Sequence, residues 1–230
     1  MSLFAIADVH LSFGTDKPMD VFPGWTDYVA RLEESWRERV GQEDTVVIAG
    51  DISWAMKLED SRADFAFLHS WPGRKLILKG NHDLWWTTMR KMESFLEQNG
   101  FDSIAFVHNN AIPVEEFAVC GTRGWFFDDP QSDRKVVLRE AGRLERSIDQ
   151  AERLGGEVVA FLHYPPLYGG QRCDEIMEVL HRRRIRRCFY GHIHGAGRRL
   201  AAQGIIEGIE MRLIACDALG FAPTQVEKCP

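Results

Sequence analysis

Apolar residues recur along this chain with two different periods. Short, unalternating apolar runs at residues 2–7, 45–49 (TVVIA), 75–79 (KLILK), 158–162 (VVAFL) and 187–190 predict strands, several of them buried on both faces. Helical spacing falls between them. Trp25, Tyr28, Val29, Leu32, Trp36 and Val40 make one stripe that Gly41 stops, and Trp85, Met89, Met92 and Leu96 make another, closed by Asn99 and Gly100. The clearest stripe is Val137, Ala141, Leu144, Ile148 and Ala151, ended by Gly155 and Gly156. Helices are also expected over about 60–69, before Pro72, and about 173–181. Two or three strands are expected to flank Pro113 within 103–121, and more around Gly195, Gly197, Gly204 and Gly208, to about residue 216. This alternation predicts an α/β fold with antiparallel strands toward the C-terminal end.

The polar residues that follow the predicted strands change the picture. Asp8 and His10 end the first run, Asp51 the second and Asn81-His82-Asp83 the third; His163 ends VVAFL, and His192 and His194 follow residues 187–190. Open α/β sheets gather ligands beyond the carboxyl ends of their strands. Residues two apart in extended backbone point the same way, so Asp8 with His10, and His192 with His194, can each act as a pair. Mixed nitrogen and oxygen donors suit Mn, Fe, Zn, Co or Ni better than Ca, and the lack of a thiolate removes the strongest bias toward zinc. No P-loop, GxSxG or cysteine-phosphatase motif offers a competing nucleophile.

Length and composition set bounds on this chemistry. A chain of 230 residues, with neither repeats nor a long Pro/Gly linker, is expected to form a single domain over 1–230. A net charge of −6 argues against a general grip on duplex nucleic acid, although bound cations could still invert the local field for a phosphate-bearing substrate. The five cysteines (Cys120, Cys173, Cys188, Cys216 and Cys229) are odd in number and lack paired CxxC spacing, so a reducing cytoplasm is expected. No apolar stretch reaches membrane-spanning length, and the first apolar residues read as a strand rather than a signal peptide.

Taken in order, DxH at Asp8 and His10, GD at Asp51, GNHD at Asn81 to Asp83, the lone His163, and GHxH at His192 and His194 resemble the calcineurin-like metallophosphoesterases across positions 8–194. The resemblance implies a four-layer α-β-β-α sandwich with two mixed sheets, and two divalent metal ions at the strand ends. One metal would take Asp8, His10, Asp51 and His194, and the other Asp51, Asn81, His163 and His192. His82 would stand by the substrate, protonating the leaving oxygen or stabilising the transition state, with Asp83 orienting the loop or His82. The implied reaction is in-line attack on phosphorus by a hydroxide bridging metals roughly 3.5–4 Å apart. The protein phosphatases of the family carry Asp-Arg-Gly after GD and have GNHE; this chain has Ile52-Ser53-Trp54 and GNHD. The expected substrate is therefore a small phosphomonoester or phosphodiester, nucleotides included. A nuclease and a non-catalytic scaffold that keeps its metal site are the alternatives.

Other residues admit two readings. Trp54 and Trp86 either stack on a leaving group or pack in the core, and for Trp85 packing is favoured. Arg123 either holds a non-scissile phosphate or pairs with a carboxylate, and Tyr164 begins a loop expected to wall the cleft. The basic run from His181 to Arg187 is expected to complement a helix end and then meet solvent. His69, His108 and His181 are read as structural.

Overall fold

In the first strand, β1 (Leu3–Ile6), alternate residues feed two different cores. Phe4 and Ile6 pack with helical side chains, whereas Leu3 and Ala5 pack against a second sheet. The computed structural model describes residues 1–125 and 134–228.

The elements that follow are α1 (Tyr28–Arg39), β2 (Thr45–Ile48), α2 (Arg62–His69), β3 (Arg74–Ile77), α3 (Met89–Asn99) and β4 (Ile104–Phe106). Next come β5 (Ala111–Val114), β6 (Phe117–Thr122), α4 (Arg134–Leu154), β7 (Glu157–Leu162), the hairpin β8 (Leu167–Tyr168) and β9 (Gln171–Arg172), and α5 (Asp174–Arg182). The chain finishes with β10 (Arg187–Tyr190), β11 (Gly204–Ile206), β12 (Ile209–Leu213) and β13 (Thr224–Val226).

One sheet has the order β13-β1-β2-β3-β4 and the other β11-β12-β10-β7-β6-β5. Within the first, β1 to β4 run parallel and β13 antiparallel; within the second, β6, β7, β10 and β12 run parallel, with antiparallel strands at both edges. Both sheets are therefore mixed. Leu32, Trp36, Phe65, Leu68 and Met92 from α1 to α3 cover one outer face, and Val137, Leu144, Ile148, Met177 and Leu180 from α4 and α5 cover the other. Between the sheets lie Val47, Leu76, Val119, Val159, Phe161 and Phe189. Helix, sheet, sheet, helix is the expected four-layer order, and it explains the unalternating runs: each central strand is buried on both faces.

Several boundaries differ from the sequence reading. Pro113 lies inside β5 rather than between strands, which is tolerated because β5 is an edge strand. Trp85 precedes α3 rather than opening it: its indole N–H is held by Asp83, which pins the loop outside the helix. The short hairpin β8–β9 and strand β13 were not foreseen, because they are two or three residues long and carry too little pattern. In the arginine run Arg182, Arg184 and Arg186 are exposed, as expected, but Arg183 and Arg187 are not free in solvent. Arg182 reaches Glu145 on α4, Arg183 reaches Glu145, Asp149 and Glu152, and Arg187 is buried against Glu210, so the run ties α5 to α4 and to the sheet. Cys120, Cys173, Cys188 and Cys216 are buried free thiols; Cys229 lies outside the described residues. Among the described residues no helix is long and apolar enough to cross a membrane.

Candidate metal centre

The two sheets meet at their carboxyl ends. Beyond β1, Ala7 N–H donates to Ile214 O at 2.8 Å and Cys216 N–H donates to Ala7 O at 2.9 Å, joining the ends of β1 and β12 across the sandwich. The parallel ladder also continues past β1 and β2, with Asp8 N–H on Gly50 O and His10 N–H on Asp51 O. Register therefore sets Asp8, His10 and Asp51 side by side. Asn81 follows β3, His163 follows β7, and His192 and His194 follow β10, so all seven sequence-predicted ligands arrive at one rim.

The side chains close into two groups of metal-ligand type: Asp8, His10 and His194, and Asp51, His163 and His192. Asn81 Oδ1 adds to the second, 2.6 Å from His163 Nε2 and 3.0 Å from His192 Nδ1. Asp51 Oδ2 faces both groups, 3.8 Å from His10 Nε2 and 3.5 Å from His163 Nε2.

The backbone here is strained. Asp8, His10, Asp51 and His192 all have positive φ, at 62°, 43°, 53° and 70°. Such conformations cost of order 1–3 kcal/mol each in a non-glycine residue and cluster where function holds them. Gly80 is required for space: a Cβ there would lie 2.1 Å from Asp51 Oδ1 and 2.2 Å from Asp51 N.

Outer partners orient the imidazoles. His163 Nδ1 bonds Ala49 O at 3.1 Å, and His194 Nδ1 bonds Asp217 Oδ1 at 2.9 Å. Each bond leaves Nε2 turned to the centre. Asp217 was missed in the sequence; its one signal is its place just past β12, in a segment with no motif. Asp83 is wholly buried, accepting N–H bonds from Gly80, Asp51, Ile52, Ser53 and the Trp85 indole. Both its oxygens accept N–H bonds, and these clamp the GNHD turn to the GD turn.

The electrostatics explain why this arrangement asks for cations. Burial opposes the charge of Asp8, but His194, His163 and His10 outweigh it and hold the carboxyl well below its usual range. Asp51 is pushed the other way, first by burial and then by the charges of Asp83 and Asp8. Burial lifts Asp83 to about 6 against the pull of its donors. Burial also opposes charge on His194, yet Asp8 and Asp217 lift it to about 10, while His163 is driven down to about 3 chiefly by burial. His10 Nδ1 and His194 Nε2 are buried with no hydrogen-bond partner. Crowded buried carboxylates, orphaned imidazole nitrogens and an N/O donor set together fit divalent metal ions.

Around this centre, His82 stands at the half-exposed rim, its ring 4.4 Å from Trp54 and 5.8 Å from His10. Burial and then His192 lower its pKa, so the ring is neutral near pH 7. Trp54 stacks on His10 at 5.0 Å, and Lys17 Nζ lies 5.1 Å from the centroid of the Trp54 ring. Tyr164 is buried against His192, at 4.4 Å. Trp86 is further out, packed on Phe106 and His108. A shallow groove of about 860 Å³ between Met56–Glu59 and Leu84–Gln98 borders the His82 loop, and none of the seven ligand residues lines it. His69 bonds Ser103 and His181 bonds Glu207, away from the rim, as structural histidines do.

Comparison with known proteins agrees with this geometry. The calcineurin-like phosphoesterase family matches residues 1–196. A phosphopantetheinyl hydrolase from Mycobacterium tuberculosis superposes with a TM-score of 0.56 at 13% identity, over 100% of this chain and 96% of that one. TT1561 of Thermus thermophilus superposes with a TM-score of 0.57 at 12% identity, over 91% of this chain and 86% of that one. These likenesses speak for the fold alone. The Gene 66 protein of Mycobacterium phage D29 is 44% identical over 57 residues, which is 25% of this chain and 28% of that relative's length. The match across residues 1–196, falling on the motifs that fold into this centre, means that the chain belongs to the calcineurin-like phosphoesterases.

Proposed function

We propose that the chain is a single-domain dinuclear phosphohydrolase of the cytoplasm, acting on a small phosphomonoester or phosphodiester, nucleotides among them. One ion would be held by Asp8, His10, Asp51 and His194, and the other by Asp51, Asn81, His163 and His192. The observation that carries this reading is the place of Asp51 Oδ2, within 4 Å of an imidazole nitrogen from each group. A carboxylate so placed is suited to be shared. Buried free cysteines favour the reducing compartment.

Bound divalent ions supply an activated water and positive charge for the phosphoryl oxygens. The chain's own residues do the rest. Asp83 fixes the GNHD turn so that His82 faces the same rim. Neutral His82 is set to donate a ring N–H to a phosphoryl or leaving oxygen. Trp54 holds one side of the His82 ring, and Tyr164 holds His192.

The test is hydrolysis of p-nitrophenyl phosphate and bis-(p-nitrophenyl) phosphate by Mn-loaded protein, with metal content measured alongside. Two ions per chain and turnover of either ester are expected, the preference sorting monoesterase from diesterase. Bound metal without turnover under any first-row divalent ion would favour a non-catalytic scaffold.

A further inference from the structure

Beside the metal centre, three cations crowd one carboxylate. Thr122 pairs with Leu162 across β6 and β7, so Arg123, the next residue, stands beside His163, and its carbonyl accepts N–H bonds from His163 and Tyr164. Lys79 follows β3, two residues before Asn81. Arg143 comes from α4, as does Glu140, which is buried.

Glu140 is already committed. Its Oε1 bonds Arg143 at 2.5 Å and its Oε2 accepts the Thr122 hydroxyl at 2.8 Å, leaving Arg123 at 3.9 Å, beyond hydrogen-bond range. Lys79 lies within electrostatic reach of Arg123, Asp83, Arg143 and Glu140, and neither carboxylate is within ion-pair distance of it. Asp83 is filled by its own N–H donors, so three cations face two carboxylates that are both already engaged.

Two further donors point the same way. Arg123 Nε and Trp125 Nε1 are buried with no hydrogen-bond partner, and the guanidinium lies 5.1 Å from the Trp125 ring. Buried donors without acceptors are costly, and an anion satisfies several at once. Trp125 also approaches Tyr164, which contacts His192, so the patch is continuous with the metal centre.

We propose that Lys79, Arg123 and Arg143 form a second phosphoryl subsite, so that the preferred substrate carries two linked phosphoryl groups. This rests on the phosphohydrolase reading above. In such a substrate, water adds to the phosphorus at the metal centre and the bridging P–O bond breaks. The bridging oxygen departs on the phosphate held by the cations, and a phosphoanhydride diester plus water gives two phosphomonoesters and releases protons to solvent.

The experiment compares calorimetric binding of methylenediphosphonate and methylphosphonate to the Mn-loaded protein, its Lys79→Met variant and its Arg123→Met variant, with metal content and thermal stability checked for each. The half-buried Lys79 stem tolerates Met, so that variant keeps the test alive if Arg123→Met misfolds. The expected result is a diphosphonate preference that falls at least tenfold in the variants. An unchanged preference, or equal loss for both probes, overturns the subsite. If the wild type turns over neither nitrophenyl ester yet the preference depends on Lys79, the catalytic reading fails and the subsite stands. Turnover with a flat preference gives the converse.

Discussion

Asp217 Oδ1 lies 2.9 Å from His194 Nδ1, and its other oxygen takes the Gly195 N–H at 2.9 Å. The carboxylate thus fixes both the tautomer of His194 and the turn that follows it. With Nδ1 occupied, Nε2 is the nitrogen offered to the centre, as a ligand imidazole requires. Asp217→Asn is expected to weaken metal binding about 10–100-fold while the protein stays folded. Competition against a chelating dye would measure it. An unchanged affinity would remove His194 from the ligand set.

Gly80 and Gly142 should respond oppositely to the same substitution. A methyl group at Gly80 would overlap the Asp51 carboxylate and its amide, whereas nothing lies within 4 Å of a Cβ at Gly142, inside α4. Gly80→Ala is expected to abolish metal binding and destabilise the fold. Gly142→Ala should raise stability by roughly 0.5–1 kcal/mol, because the helix no longer carries glycine's extra backbone entropy. Urea unfolding with metal titration distinguishes them, and equal effects would contradict the close packing at the GNHD turn.

His82 and Asp83 are adjacent but should fail differently. His82→Ala leaves every predicted ligand in place, so the metals should be retained while activity falls by about 10²–10³-fold, the usual scale for losing one transition-state donor. Asp83→Ala leaves five N–H donors without their acceptor and unlocks Gly80 from Asp51. It should lose metal, activity and stability together. Metal loss in the His82 variant would sink the role assigned to that residue.

How much of this could be read beforehand follows from what each feature needs. Central strands and amphipathic helices were legible because burial on one or two faces writes a period into the sequence, as in TVVIA and the Val137 to Ala151 stripe. The seven rim residues were legible because each follows such a strand in a motif of fixed spacing. Asp217 was not, since its partner His194 is 23 positions away and nothing local marks the pairing. The role of Arg143 was equally hidden: it depends on α4 crossing the end of β6, a fact of tertiary packing. The left-handed backbone at Asp8, His10, Asp51 and His192 also left no trace, because none of them is the glycine that usually signals it.

Lys75 supplies a pH-dependent prediction away from the metal centre. It lies fully buried on β3, its ammonium held by the Trp71 carbonyl, and burial, aided by Arg37, lowers its pKa from 10.5 to about 8. A base whose pKa is depressed on folding binds its proton less tightly when folded. Between about pH 8 and 10.5 the unfolded chain keeps that proton and the folded chain does not, so stability rises with pH across this window and is lost as pH falls through it. A shift of this size corresponds to at most about 3 kcal/mol. Lys75→Met removes the titration while keeping an unbranched side chain. Urea unfolding of both proteins at pH 7.5 and pH 10 should show the wild type gaining stability relative to the variant at the higher pH. Parallel behaviour of the two would mean that Lys75 keeps its ordinary pKa in the folded protein.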